Sequence, residues 1–336
     1  MRDKLSVLKE YFGHDSFREG QDRITDSLLG GRDVLGIMPT GAGKSICYQV
    51  PALMFDGITI VVSPLISLMK DQVSALVQSG VAAAYINSSL THAQYLKVLQ
   101  NTESGKYKII YVAPERLCAP AFLGICRNLN ISMVAVDEAH CVSQWGQDFR
   151  PSYLKIPDFI DALNSRPVVG AFTATATGAV RDDIKTLLRL VSPLVVTTGF
   201  DRPNLFFSVM QPKNKSIELM KLIKERKNES GIVYCSTRKA VEEVCELLQK
   251  NGFAATRYHA GLDENERRRN QDDFVYDRAT IMVATNAFGM GIDKSNVSFV
   301  IHYNMPKNME SYYQEAGRAG RDGRSCLLYT SDAADD

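Results

Sequence analysis

The residues with the clearest chemical purpose lie near the start of the chain. Pro39-Thr40-Gly41-Ala42-Gly43-Lys44-Ser45 follows a short apolar run ending at Met38 and precedes a helical pattern. A Gly-rich turn between strand and helix lets successive backbone N–H groups wrap a phosphate, while the helix N-terminus adds positive potential. In such a loop Thr40, Gly41 and Gly43 shape the cradle, Lys44 contacts the β and γ phosphates of a nucleoside triphosphate, and Ser45 ligates Mg2+. The strict pattern opens on Gly, and Met38 stands there instead. The second half of such a site must supply a carboxylate for the metal and a group that activates water. Asp137 and Glu138, in Val134-Ala135-Val136-Asp137-Glu138-Ala139-His140, offer both at the end of an apolar run. Asp137 would hold Mg2+ through water, and Glu138 would orient or deprotonate the attacking water. Two adjacent acids at a strand end are a weak signal alone; with the Lys44 loop they become a strong one.

These side chains need elements to position them. From Asp33 onward, short apolar runs alternate with helical patterns, at 33–38, 57–62, 82–87, 108–113, 132–138, 167–173 and 194–199. Near-continuous Val/Ile runs separated by helices predict a parallel sheet covered on both faces. Residues 198–204 then break the rhythm with Gly, Pro and polar residues, as a linker or hinge would. A second α/β series follows, with strands expected at 204–210, 231–236, 254–260, 280–285, 299–304 and 324–329. The fold class is therefore α/β, two tandem parallel-sheet lobes with a cleft between them, a usual place for ligands. The boundaries read 1–200 and 201–330, with 331–336 an acidic tail, disordered or non-native, to which no function is assigned.

At 336 residues the chain exceeds what one core usually supports, which fits two domains. The apolar share of 45% and charged share of 23% are those of an ordinary globular protein, and no stretch approaches a membrane span. The N-terminus lacks the pattern of a secretory leader, so the protein is expected inside the cell, cytoplasmic and nucleoid-associated or nuclear. Seven scattered cysteines form no C-x-x-C pair; reduced, buried thiols are expected, and no zinc site within the chain. A net charge of +1 does not announce a polyanionic partner, so any nucleic-acid surface must be local.

The ordered set GAGKS, DEAH, TATAT and QEAGRAGRDG resembles superfamily 2 helicases, and its details resemble the RecQ family, over roughly Tyr11 to Gly323. The resemblance implies paired RecA-like lobes closing on Mg-ATP. Phe12 to Gln21 is similar to the family's adenine-reading motif, so Gln21 would pair with adenine, with Arg18 beside it. His14 stands where many relatives place an aromatic ring that stacks on the base. The most specific segment is DEAHCVSQWGQDFRP, Asp137 to Pro151, which resembles the family's aromatic-rich loop; Gln144, Trp145, Phe149 and Arg150 fill it and would couple DNA binding to hydrolysis. Exposed aromatics interleaved with Arg are what single strands stack on; a buried anchoring Trp is the competing reading. By family position Arg321 is the finger that neutralises charge on the transferred phosphoryl group, and Arg318 the phosphate sensor.

The resemblance extends to the coupling and strand-binding motifs. Thr173 and Thr175 would link nucleotide state to lobe movement. Ser63, Lys70, Ser236, Arg238, His259, Thr285 and Gln314 fall in motifs that hold one strand's sugar-phosphate backbone, a sequence-independent contact. The implied partner is single-stranded and partly duplex DNA, tracked 3′ to 5′ in repair and recombination; no membrane partner is expected, and a monomer is. RecQ proteins usually continue into a zinc-bearing segment and a winged helix that this sequence does not reach, so impaired unwinding is expected. The alternatives are an RNA-remodelling ATPase of the same superfamily, a double-strand translocase, or a nucleic-acid clamp without turnover.

Overall fold

The computed structural model describes residues 3–146, 148–199, 202–288, 294–320 and 322–331. Among them the strands are β1 (Val34–Ile37), β2 (Ile58–Val62), β3 (Ala83–Ile86), β4 (Ile109–Val112), β5 (Ile131–Val136), β6 (Val168–Thr173), β7 (Leu194–Thr197), β8 (Leu205–Met210), β9 (Ser230–Tyr234), β10 (Ala255–Tyr258), β11 (Ile281–Ala284), β12 (Val297–His302) and β13 (Cys326–Ser331). The helices are α1 (Lys4–Phe12), α2 (Gln21–Leu29), α3 (Lys44–Met54), α4 (Ile66–Gln78), α5 (His92–Glu103), α6 (Pro120–Arg127), α7 (Ile156–Asp161), α8 (Gly178–Leu187), α9 (Lys215–Glu225), α10 (Arg238–Lys250), α11 (Glu264–Val275) and α12 (Met309–Ala316). Each expected apolar run carries a strand. The largest boundary differences have local causes: β5 stops at Val136 because Glu138 turns into the left-handed region (φ 46°), and β13 extends to Ser331 in register with β8.

The chain divides into two compact units, Met1–Phe200 and Asp201–Asp336. In the first, the strand order is β3-β4-β2-β5-β6-β1-β7; in the second it is β10-β11-β9-β12-β13-β8. Every pairing is parallel.

Alternation along the first sheet feeds two cores. Leu35, Ile60, Val134 and Val169 pack one face with Leu99, Phe122, Phe159 and Ile184 of α5 to α8. Val34, Val61, Tyr111 and Phe172 pack the other with Leu28, Tyr48 and Met69 of α2 to α4. The second sheet does the same, with Phe274 of α11 on one face and Leu219, Val241 and Leu248 of α9 and α10 on the other. Cover fails at one strand: β8 lies at the sheet edge, and Phe206, Phe207 and Val209 are exposed.

The cysteines are all free, and six are buried. Cys118 departs from the expectation by being exposed. No helix among the described residues is long and apolar enough to cross a membrane.

Candidate nucleotide and nucleic-acid site

Parallel strands place their C-terminal ends on one sheet edge, and the chemistry gathers there. Along the order β4-β2-β5-β6-β1, the phosphate loop follows β1, Thr173 ends β6 with Thr175 just beyond it, the acidic pair follows β5, and Ser63 follows β2. Gly41 (φ 85°) and Gly43 (φ 79°) give the loop a backbone that only glycine adopts cheaply. Lys44 and Ser45 open α3, with the Lys44 ammonium donating to the carbonyl of Met38 at 3.2 Å.

Asp137 is 6% exposed, and its carboxyl is pushed up to about 7. Burial is the main cause and the neighbouring Glu138 charge the next; Lys44 and the Glu138 N–H, which donates to Asp137 Oδ1 at 3.0 Å, pull the other way. Glu138 Oε2 is buried without a hydrogen-bond partner. A nearly enclosed carboxyl with raised proton affinity, beside a second carboxylate oxygen lacking a donor, is a pair short of positive charge, so the residues present fit a divalent cation and a water.

A hydrogen-bond relay links His140, just beyond the acids, to the end of the neighbouring strand β6. Thr173 Oγ1 donates to the carbonyl of Thr175 at 2.9 Å, so its lone pairs accept from His140 Nδ1–H at 2.9 Å. This spends the Nδ1 proton, so Glu138 Oε2, 3.4 Å from the same nitrogen, receives no hydrogen bond from it. Tyr153 Oη donates to the carbonyl of Asp137 at 2.9 Å from the opposite side.

The adenine-reading candidates behave unequally. His14 is exposed, and Arg18 Nη1 donates to the carbonyl of Gly41 at 2.6 Å. Gln21 is buried, and its amide is committed: Oε1 accepts from Arg18 N–H at 2.8 Å, and Nε2 donates to the carbonyls of Ala42 and Gly43 at 3.0 and 3.1 Å. Both amide protons are spent on the phosphate loop, so pairing with adenine requires an exchange of partners.

Trp145 is 80% exposed, and Gln144 beside it is exposed too. Ser143 fixes the turn by accepting from Trp145 N–H at 3.1 Å and donating to Asp183 at 2.6 Å. Phe149 is half-buried. Arg150 pairs with Asp148 at 2.7 Å and donates to the carbonyl of Pro64 at 2.8 Å, which ties the aromatic loop to the segment after β2.

Several strand-binding and coupling candidates are enclosed. Ser63 is 1% exposed, Thr173 0% and Thr285 8%. His259 is 5% exposed; it accepts the Gly261 N–H on Nδ1 at 3.1 Å and meets Glu242 through Nε2 at 2.7 Å. With both nitrogens occupied, the His259 ring braces its own loop. Lys70, Thr175 and Gln314 are half-buried; Ser236 and Arg238 are exposed where β9 meets α10. Arg318 is 9% exposed, with Nε buried and unpartnered, whereas Arg321 lies outside the described residues, as do 289–293. What sequence reasoning missed is the brace on this Gly-rich loop. Arg202 donates to the carbonyls of Ala319 and Gly320 at 3.0 and 2.9 Å, and Asn204 to those of Gly320 and Arg324 at 2.9 and 3.0 Å. The Arg-Pro-Asn run was readable only as linker; its partners are more than a hundred residues away.

A strand–Gly loop–helix phosphate cradle, an acidic pair two strands along the same sheet and a second parallel-sheet unit are the features of a RecA-like helicase core. Residues 18–184 match the DEAD/DEAH box helicase family model and 214–323 the helicase conserved C-terminal domain. The chain is 50% identical over 329 residues to the ATP-dependent DNA helicase RecQ of Bacillus subtilis, covering 97% of this chain and 56% of that protein. It is 47% identical over 318 residues to that of Pasteurella multocida, covering 95% and 50%. The structure of Mycobacterium smegmatis helicase Lhr bound to single-stranded DNA and AMP-PNP shares the fold with a TM-score of 0.78 at 19% identity, covering 98% of this chain and 48% of that one. The chain belongs to the RecQ family of helicases and spans about half the length of these relatives.

Proposed function

We propose that this chain is the ATP-hydrolysing motor of a 3′ to 5′ DNA helicase, with residues 1–200 as its ATP-binding lobe and 201–330 as its C-terminal lobe. The observation that carries this reading is the alignment of phosphate loop, Thr173 relay and acidic pair on three neighbouring strand ends, β1, β6 and β5. The relatives named as ATP-dependent DNA helicases support DNA as the partner, and the family resemblance supports the direction.

In this mechanism the backbone amides of 41–45 and the Lys44 ammonium bind the phosphates. Bound Mg2+, held by the Ser45 hydroxyl and through water by Asp137, would neutralise charge on the phosphate oxygens. Glu138 accepts the proton of the attacking water on an oxygen with no competing donor. The His140–Thr173–Thr175 relay senses the state of that carboxylate. Arg321 is assigned the finger, worth about three to five decades in rate where measured in other NTPases, and Arg318 the sensor. Gln144, Trp145, Phe149 and Arg150 report the bound strand to the acidic pair. Gln21 and Arg18 select adenine by letting go of the phosphate loop. Each base-pair step opened costs roughly 1.4 kcal/mol of stacking, so strand separation must be tied to turnover or to trapping of frayed ends.

Steady-state ATP hydrolysis, with and without single-stranded DNA or RNA of the same sequence, tests the reading. DNA is expected to stimulate and RNA to do so less; Glu138→Gln should lower stimulated turnover by about 10²- to 10⁴-fold while nucleotide binding persists. Hydrolysis indifferent to DNA would end the motor reading, and stronger stimulation by RNA would reassign the substrate.

A further inference from the structure

Behind the phosphate loop runs a line of polar side chains through an otherwise apolar core. Tyr48 and Tyr111 are each 1% exposed and Gln49 4%. Gln49 Nε2 donates to Tyr111 Oη at 2.9 Å and to Gln72 Oε1 at 2.8 Å. Tyr48 and Gln49 stand one helical turn after Ser45 on α3, and this same-face spacing sets the Tyr48 hydroxyl beside Ser45 and Tyr111. The line therefore starts at Ser45 and passes through Tyr48 and Gln49 of α3 and Tyr111 of β4. It ends at Gln72 on α4, the helix that follows Ser63 and carries Lys70.

Packing alone does not ask for these residue types. Around them the core is Met38, Ala52, Val61, Met69 and Phe172, where a phenol or a carboxamide costs free energy unless it is fully bonded. Such a network is tolerated when satisfied and sensitive when one member moves. Ser45 is the member with two calls on it, the Tyr48 hydroxyl inside and nucleotide-bound metal outside. When its hydroxyl turns outward, Tyr48 is left to Tyr111. Gln49 has no slack with which to absorb the change, because both its amide protons are already placed, one on Tyr111 and one on Gln72.

We infer that Tyr48, Tyr111, Gln49 and Gln72 are positioning residues that couple nucleotide occupancy at Ser45 to the strand-contacting helix α4. They touch neither nucleotide nor DNA. The inference rests on the motor reading above and adds to it a route inside the first lobe, separate from the Trp145 loop. Because coupling is reciprocal, nucleotide must change affinity for single strands by the factor with which single strands change affinity for nucleotide.

The test measures single-stranded DNA affinity by fluorescence anisotropy, without nucleotide and with Mg-AMP-PNP, for the full chain. In the wild type the two dissociation constants should differ by at least about fivefold. Tyr111→Phe removes one oxygen and keeps the ring; Gln49→Met keeps the length and removes both donors. Each should shrink the ratio of the two constants at least about threefold, leaving nucleotide-free DNA affinity within about twofold of wild type. The double variant should lose little more than either single one, as members of one route do. A merely structural role would lower the melting temperature and leave the ratio alone, and an unchanged ratio in Tyr111→Phe overturns the inference whatever happens to stability. Should Gln49→Met fail to fold, the Tyr111→Phe ratio decides alone. A ratio of one in the wild type would instead remove the motor reading and the inference with it.

Discussion

Asp277 carries three hydrogen bonds from a backbone position with φ 58°, accepting from Lys294 at 2.6 Å, Ser230 at 3.2 Å and Asn296 at 3.3 Å. Its partner Lys294 is 5% exposed and lies 4.9 Å over the ring of Phe274, which meets Phe288 edge-on. The Lys294 hydrogen bond, foremost, holds the Asp277 carboxyl below its usual range. A depressed folded value means the carboxylate stabilises the fold above the unfolded value of about 3.9 and ceases to as pH falls through the folded one. Asp277→Asn is therefore expected to lower stability at pH 7 by about 1–3 kcal/mol, the range for a buried charge losing its partner where water still reaches the site. Urea unfolding of both proteins from pH 7 into acid checks this: the gap should close as the wild-type carboxylate protonates, and a gap that persists would trace to hydrogen bonding alone. At this scale the sequence was only half legible. Lys44, Ser45, Asp137 and Glu138 announce themselves because their neighbours in the chain are also their neighbours in the site. Nothing local says that Gln21 donates to Ala42 and Gly43, that Glu242 occupies His259, or that Gln49 meets Gln72, since each contact closes a loop of 17 to 23 residues whose geometry the fold decides.

The turn at Ser143–Gly146, with Arg150 beyond it, shows what an element adds to its residues. Gly146 sits against the carbonyl of His140, too close to admit a Cβ, Arg150 N–H donates to the carbonyl of Cys141 at 2.9 Å, and Ser143 is held by Asp183. The result is a stiff turn with Trp145 at its tip, preorganised for stacking at little further entropic cost. Trp145→Ala is expected to weaken single-strand binding by about 1–3 kcal/mol, roughly 5- to 150-fold, and to leave the melting temperature close to wild type because so little of the indole is buried. Anisotropy titration and thermal unfolding read the two effects separately; unchanged affinity would take the loop out of the interface. Whole elements were the most legible feature of the sequence. Strands buried on both faces appear as largely apolar runs because every position faces a core, which is why β2 and β6 stand out. Edge strands follow weaker rules: β8 reads as the same kind of run, yet at the sheet edge its Phe206, Phe207 and Val209 stay exposed.

Two sheets, each with apolar cores on both faces, make each unit a candidate for cooperative unfolding of its own. Calorimetry is then expected to show two components, and a core substitution should assign them. Gly231 on β9 lies against the ring of Phe299, so Gly231→Ala forces the ring aside and should lower one component, by about 1–3 kcal/mol for an overpacked core, and not the other. With the second unit's component so marked, nucleotide becomes a reporter. A ligand present at a hundred times its dissociation constant stabilises whatever binds it by about 2.7 kcal/mol. If Lys44 and Glu138 alone grip the triphosphate, Mg-AMP-PNP raises only the component that Gly231→Ala leaves in place. If Arg318 and Arg321 reach the same nucleotide, both components rise or merge, and Arg321→Ala returns the second to its free position while the first stays raised. A second component indifferent to nucleotide in the wild type would place the arginines outside the reaction and leave the first unit to hydrolyse without them.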